Sequence, residues 1–229
     1  MTSAVTDRME GLLARWGMDD DPRAGFLRCY RLMTGNMLAA LEDGTFGDPV
    51  WVRVLLERFA AYYFDALDAY DTRPTATPEV WRFAHECTMA NRLFVVQRLL
   101  LGINAHINYD LVLTLVDVLR DEWTDAPAGL RERRYADHCA VNRVIGRSID
   151  VVQDTIIEPE EPLMQLVDVL MGPADEWMLS RLIAAWREDV WRQAVRMLDA
   201  GDDADCEQIR RALEAATLRR AHRILRYAG

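Results

Sequence analysis

The chain has 229 residues, 51% of them hydrophobic, and a formal net charge of −10. That length fits one large domain with a substantial core, and the acidic balance speaks against nucleic acid as a partner, because phosphate binding needs a basic face. Every cationic side chain is an arginine, which excludes Schiff-base lysine chemistry and any P-loop lysine.

Serine occurs only at Ser3, Ser148 and Ser180, and glycine and proline are sparse. Such a composition suits long helices with short connections better than a β-sandwich. The expected fold is all-α: a single-domain bundle, spanning 1–229, of about seven to eight helices around a buried central helix at about 92–121.

A first helix is expected over residues 4–16, before the break at Asp19-Asp20-Asp21-Pro22. A second covers about 23–42, with Phe26, Tyr30, Met33, Met37 and Leu41 on one face, and Asp43-Gly44 closes it. Asp48-Pro49 pairs an N-cap with a first-turn proline, opening a third helix that runs to about Tyr70. Thr77-Pro78-Glu79 starts a fourth, which is expected to continue, or to kink at Gly102, into the segment ending near Glu122. A helix over 130–157 follows, then a loop at 158–162, a short helix at 163–171, and two further helices over about 175–199 and 204–226.

Residues 93–119 are nearly all apolar, a run long enough to cross a membrane. Arg98, His106, Asp110 and Asp117 interrupt it, which favours a core helix over a membrane span. No export signal is expected: residues 1–18 contain Asp7, Arg8, Glu10 and Arg15. A cytoplasmic location follows as the expectation, with Cys29, Cys87, Cys139 and Cys206 reduced. The arginines gathered over 207–226 read as the last turns of a solvated helix.

Within the central helix stand Asn104, His106, Asn108 and Asp110. An unpartnered buried amide or imidazole costs roughly 2–7 kcal/mol, and a carboxylate more, so these groups require a network, a metal, a pocket or a ligand. At about 100° per residue, His106 and Asp110 share one face, while Gln97, Asn104 and Asn108 lie almost opposite. On a regular helix the cluster is therefore two sites, and a break near Gly102 would reunite them. The carboxylate can orient the imidazole as an acid/base, or both can ligate one zinc or magnesium ion; the plain alternative is a buried structural pair. His138 and Asn142 share a face one turn apart and are candidate partners, with Tyr63 as a proton donor and Trp81 as a pocket wall.

The run Gly102-Ile103-Asn104-Ala105-His106-Ile107-Asn108-Tyr109-Asp110-Leu111 resembles the signature of an uncharacterised, mostly actinobacterial, all-helical family of unknown function. The resemblance extends over most of the chain and implies a helical fold and a site at this run, with no activity attached. His106 followed by Asp110 is also similar to the start of the metal motif of zinc-dependent phospholipases C and related nucleases. The following residues, 111–115, contain no histidine, so a trinuclear zinc site is excluded and a single-metal site on His106 and Asp110 stays open.

Asp65, Asp68 and Asp71 recur every three residues and could hold magnesium for a diphosphate, as in terpene-type cyclases. Serine hydrolase, zincin, diiron and dinucleotide-binding motifs are absent. The leading expectation is a cytosolic protein that encloses a small, largely apolar molecule and works as an isomerase, cyclase or lyase without a redox cofactor. In that reading His106, Asp110 and Tyr63 are catalytic, and Asn104, Asn108, Asn142, His138 and Trp81 contact substrate. The alternatives are a non-enzymatic binding or scaffold protein, a metal-dependent hydrolase and a magnesium-dependent cyclase. No membrane partner is expected, and a homodimer is left open.

Overall fold

Asp48 accepts a hydrogen bond from the Trp51 backbone N–H at 3.0 Å, and Pro49 takes the first helical position. The side chain satisfies one orphan donor and the proline lacks another, so the helix starts where the sequence places it. The computed structural model describes residues 4–90, 92–148 and 174–226. In chain order these form α1 (Ala4–Asp19), α2 (Ala24–Glu42), α3 (Pro49–Thr72), a short 3₁₀ turn (Pro74–Ala76), α4 (Glu79–Met89), α5 (Val95–Ala105), a π turn (His106–Asp110), α6 (Leu111–Trp123), α7 (Leu130–Gly146), α8 (Ala174–Leu198) and α9 (Asp203–Arg226). The fold is all-α, with no strand among the described residues.

Three boundaries differ from the sequence reading. Helix α1 runs on to Asp19. The fourth helix does not continue into the central one: α4 stops at Met89, and Phe94, with extended backbone, starts α5. Gln97 Oε1 accepts the Phe94 N–H at 3.1 Å, closing the new first turn. Helix α7 ends at Gly146, with Arg147 as its C-cap, short of the expected run to 157; the loop at 158–162 and the helix at 163–171 lie outside the described residues.

The continuous rod Val95–Trp123 is long and apolar enough to cross a membrane, its most apolar 18-residue window having a mean hydropathy of 1.4, but 78% of that window is buried in the bundle. It packs against α2, α3 and α4 and against α8 and α9. Its midpoint is not α-helical. The Leu111 N–H bonds back to the His106 carbonyl, five residues earlier, so one extra residue is accommodated in that turn. The expected break at Gly102 is thus corrected to 106–110.

Gly102 has a different role. A Cβ there would lie 2.5 Å from Phe26 Cδ2 and 2.6 Å from Cγ, so only glycine lets the Phe26 ring lie against the helix. The start of α3 is also fixed from outside. Asp137 on α7 accepts the Gly47 and Asp48 N–H groups at 2.7 and 2.9 Å, and Arg134 bridges Asp48 and Glu122 at 2.6 and 2.7 Å. These bonds hold α3 and α7 at a fixed separation, and both helices supply walls of the cavity described next.

Candidate functional site

A cavity of about 170 Å³ lies between α2, α3, α7, α8 and the π turn. Its lining is almost wholly apolar: Met33, Met37, Leu55, Leu56, Ile103 and Ile145 are representative. For scale, an engineered apolar cavity of about 150 Å³ takes up benzene. The few polar-bearing residues on its wall include Tyr30, Thr34, His106 and Arg187.

His106 sits in a box of aromatic rings. Phe59 stacks on it with centroids 3.6 Å apart and planes 9° apart, and Tyr30 meets it edge-on at 4.4 Å. Its Nδ1 lies 2.9 Å from Asp110 Oδ2, and Trp81 Nε1 donates to the same oxygen at 2.9 Å. The three side chains are all buried. His106 Nε2 and the Tyr30 hydroxyl have no hydrogen-bond partner. A buried polar group left this way costs about 1–3 kcal/mol, which makes it a mark of function or of a missing partner.

Burial holds the His106 imidazole well below its usual range. It pushes the Asp110 carboxyl up, against the Trp81 hydrogen bond, which favours the charged form. Both shifts favour the net-neutral pair. It can be written as carboxylic acid with imidazole or as carboxylate with imidazolium, the proton lying on Oδ2 or Nδ1. In both forms Nε2 carries a hydrogen, so the unpartnered atom is a donor.

The opposite face of the rod is architecture. Asn104 Nδ2 donates to the Thr217 carbonyl at 3.1 Å, Asn108 Nδ2 donates to Asn104 Oδ1 at 3.1 Å, and Thr217 Oγ1 donates to the Asn108 carbonyl at 3.3 Å. Gln97 Nε2 points to the Ile224 and Leu225 carbonyls, both at 3.4 Å. These amides clamp α9 and do not line the cavity. The π turn leaves the polar cluster divided into two sites, and the expectation that Asn104 and Asn108 touch substrate is corrected accordingly.

The other expected residues fall as follows. Trp81 holds Asp110 and does not wall the large cavity. Tyr63, fully buried, keeps its ring centroid 5.9 Å from His106, but it lines a second cavity of about 20 Å³ together with Trp81 and His85. Its hydroxyl has no hydrogen bond to His106 or Asp110, and burial pushes its pKa up, so a role as proton donor in the large cavity is corrected. Phe26 belongs to both cavities and separates them.

His138 and Asn142 do not reach the central pair. Both attend to Arg187, whose importance the sequence reading missed. Asn142 Oδ1 accepts from Arg187 Nε at 2.8 Å and the His138 carbonyl from Nη2 at 2.7 Å. His138 Nε2 donates to the Arg187 carbonyl at 3.0 Å, which leaves Nδ1 as an acceptor 3.3 Å from Nη2. A signal existed: with Ile183, Val190 and Ala194, Arg187 falls at helical spacing on the buried stripe of α8, where a charge is out of place.

The Asp65, Asp68 and Asp71 triplet does not gather into an ion site, since Asp68 pairs with Arg8 and Asp71 with Arg23, each at 2.7 Å. Among the described residues no group of three or more His, Cys, Asp or Glu side chains is placed to hold a metal ion. The Nδ1 to Oδ2 contact ties His106 and Asp110 to each other.

The chain belongs to the family of unknown function DUF5995, which it matches over residues 2–227. No curated protein and no solved structure matches it.

Proposed function

We propose that this is a ligand-binding protein that takes a small, largely apolar molecule into the large cavity and presents His106 Nε2–H to an acceptor oxygen on it. The observation that carries the reading is the unpartnered Nε2 of a buried histidine on the wall of a mostly apolar cavity. Ligand burial there is favourable because the walls are apolar, and one placed polar group supplies orientation, the usual composition of small-molecule sites.

The same pair can do chemistry without a redox cofactor. His106 hands the Nε2 proton to a carbonyl oxygen of the ligand while the Asp110 proton moves onto Nδ1. The imidazole then stays neutral, and the carboxylate left behind keeps the Trp81 hydrogen bond. An isomerase, cyclase or lyase acting on a carbonyl compound fits this relay. A cytoplasmic location accompanies the proposal.

The test is titration with acetophenone, a carbonyl compound of suitable size, read by calorimetry and by the ¹⁵N shift of His106 Nε2. Binding that moves this resonance, and that weakens at least tenfold in His106→Phe but not in Asn104→Ala, supports the reading. Equal binding by wild type and His106→Phe would overturn the role of Nε2, and no binding at all would overturn the cavity as a ligand site.

A further inference from the structure

Arg187 is 4% exposed. Among the described residues, every hydrogen bond its guanidinium makes goes to a neutral group: the Asn142 amide oxygen, the His138 carbonyl and the His138 ring. Nη1 makes none of these bonds. No carboxylate pairs with it among the described residues, although other arginines of this acidic chain, such as Arg8, Arg23 and Arg134, do find one. An uncompensated buried charge costs several kcal/mol. Burial accordingly pulls the Arg187 pKa down to about 10, so at neutral pH the cation persists.

The neighbours are arranged to keep it. The His138 tautomer set by the Arg187 carbonyl turns a lone pair toward the guanidinium, and burial together with the adjacent cation holds His138 neutral. These contacts orient the group and, among the described residues, bring no carboxylate to its charge. Arg187 also lines the large cavity, reaching it from α8, whereas His106 reaches it from the π turn.

We infer that the natural ligand is a small monocarboxylic acid with an apolar body, its carboxylate paired with Arg187 and its body packed against the aliphatic walls. A single guanidinium neutralises a single negative charge, and its planar fork matches a carboxylate. A dianionic phosphate would leave one charge buried in an apolar cavity, which the same argument disfavours. The cavity size limits the apolar part to about a benzene ring or a short alkyl chain. This inference rests on the reading of the cavity as a ligand site, and it adds the charge class.

The experiment compares phenylacetate and hexanoate with 2-phenylethanol and hexan-1-ol, titrated into the full chain at pH 7 by calorimetry. The acids are expected to bind at least tenfold more tightly than the alcohols of matching shape, with the preference lost in Arg187→Met and in Arg187→Gln. If the alcohols bind as tightly as the acids, the inference is overturned while the cavity reading stands. If none of the four binds while acetophenone does, the inference falls and the cavity reading stands; if acetophenone fails as well, both fall. A preference for acids that survives both substitutions would also overturn it. Should neither variant fold, the wild-type ratio, together with ¹³C-carboxyl shifts of bound phenylacetate that follow Arg187 titration rather than bulk pH, decides the matter.

Discussion

The indole of Trp81 donates to Asp110 across 29 positions of sequence, at 2.9 Å, and both side chains are 1% exposed. An aromatic ring from α4 thereby opposes, without overcoming, the effect of burial on a carboxyl of the π turn. Trp81→Phe keeps most of the ring volume and removes the donor. The expected cost is about 1–3 kcal/mol, read by urea unfolding. In the Asp110→Asn background the same change should cost measurably less. Equal costs in the two backgrounds would show that the bond contributes nothing.

The division of the polar cluster gives opposite mutational signatures on its two faces. Asn104→Ala frees the Thr217 carbonyl and the Asn108 amide, so a stability loss of about 1–3 kcal/mol is expected with acetophenone affinity unchanged. His106→Phe removes an unsatisfied donor but also the Nδ1 partner of Asp110, so the two effects on stability oppose each other and the distinguishing outcome is a fall in affinity. A combined measurement of urea midpoint and titration separates the two.

Gly102→Ala drives a methyl group into Phe26, since the Cβ would stand 2.5 Å from its ring. Overpacking of this kind costs about 1–3 kcal/mol. Phe26→Leu should rescue part of that loss, giving a double mutant less destabilised than the sum of the single ones. Simple additivity would place the strain elsewhere.

Two buried histidines outside the central pair set an acid dependence. Burial lowers the His85 pKa to about 3, and burial together with Arg187 holds His138 well below its usual value. Both stay neutral when folded and bind a proton when unfolded, so each contributes stability that is complete above about pH 6.5 and falls by about 1.4 kcal/mol per pH unit below it. Urea midpoints at pH 7, 6 and 5 should show the decline, and His85→Gln should remove about half of it. A slope that His85→Gln leaves untouched would contradict a neutral, buried His85.

Much of this arrangement is legible from residue order alone. Asp48-Pro49 and Asp43-Gly44 mark helix ends through local chemistry, and the apolar run around His106 announces a buried rod. The i, i+4 spacing already places His106 against Asp110. The π turn leaves no such trace, because a five-residue turn is stabilised by what packs against it and uses the same residue types as an α-helix. Arg187 is hard to read from sequence for another reason: only tertiary packing shows that, among the described residues, its partners are neutral. Tyr63 and Trp81 could be named as aromatic neighbours, but which of two cavities each one faces depends on how Phe26 lies over Gly102.

The extra residue in the π turn turns one half of the central rod out of phase with the other by about 100°, the rotation of a single α-helical residue. Upstream, α5 keeps the register that suits α4 and α9; downstream, α6 keeps the one that suits α3 and α8. Excising one residue from this turn would restore an unbroken α-helix at the expense of one of those two fits. The His106/Asp110 pair stands at the seam where two incompatible helical phases are reconciled, so the position of the candidate acid/base depends on four neighbouring helices at once.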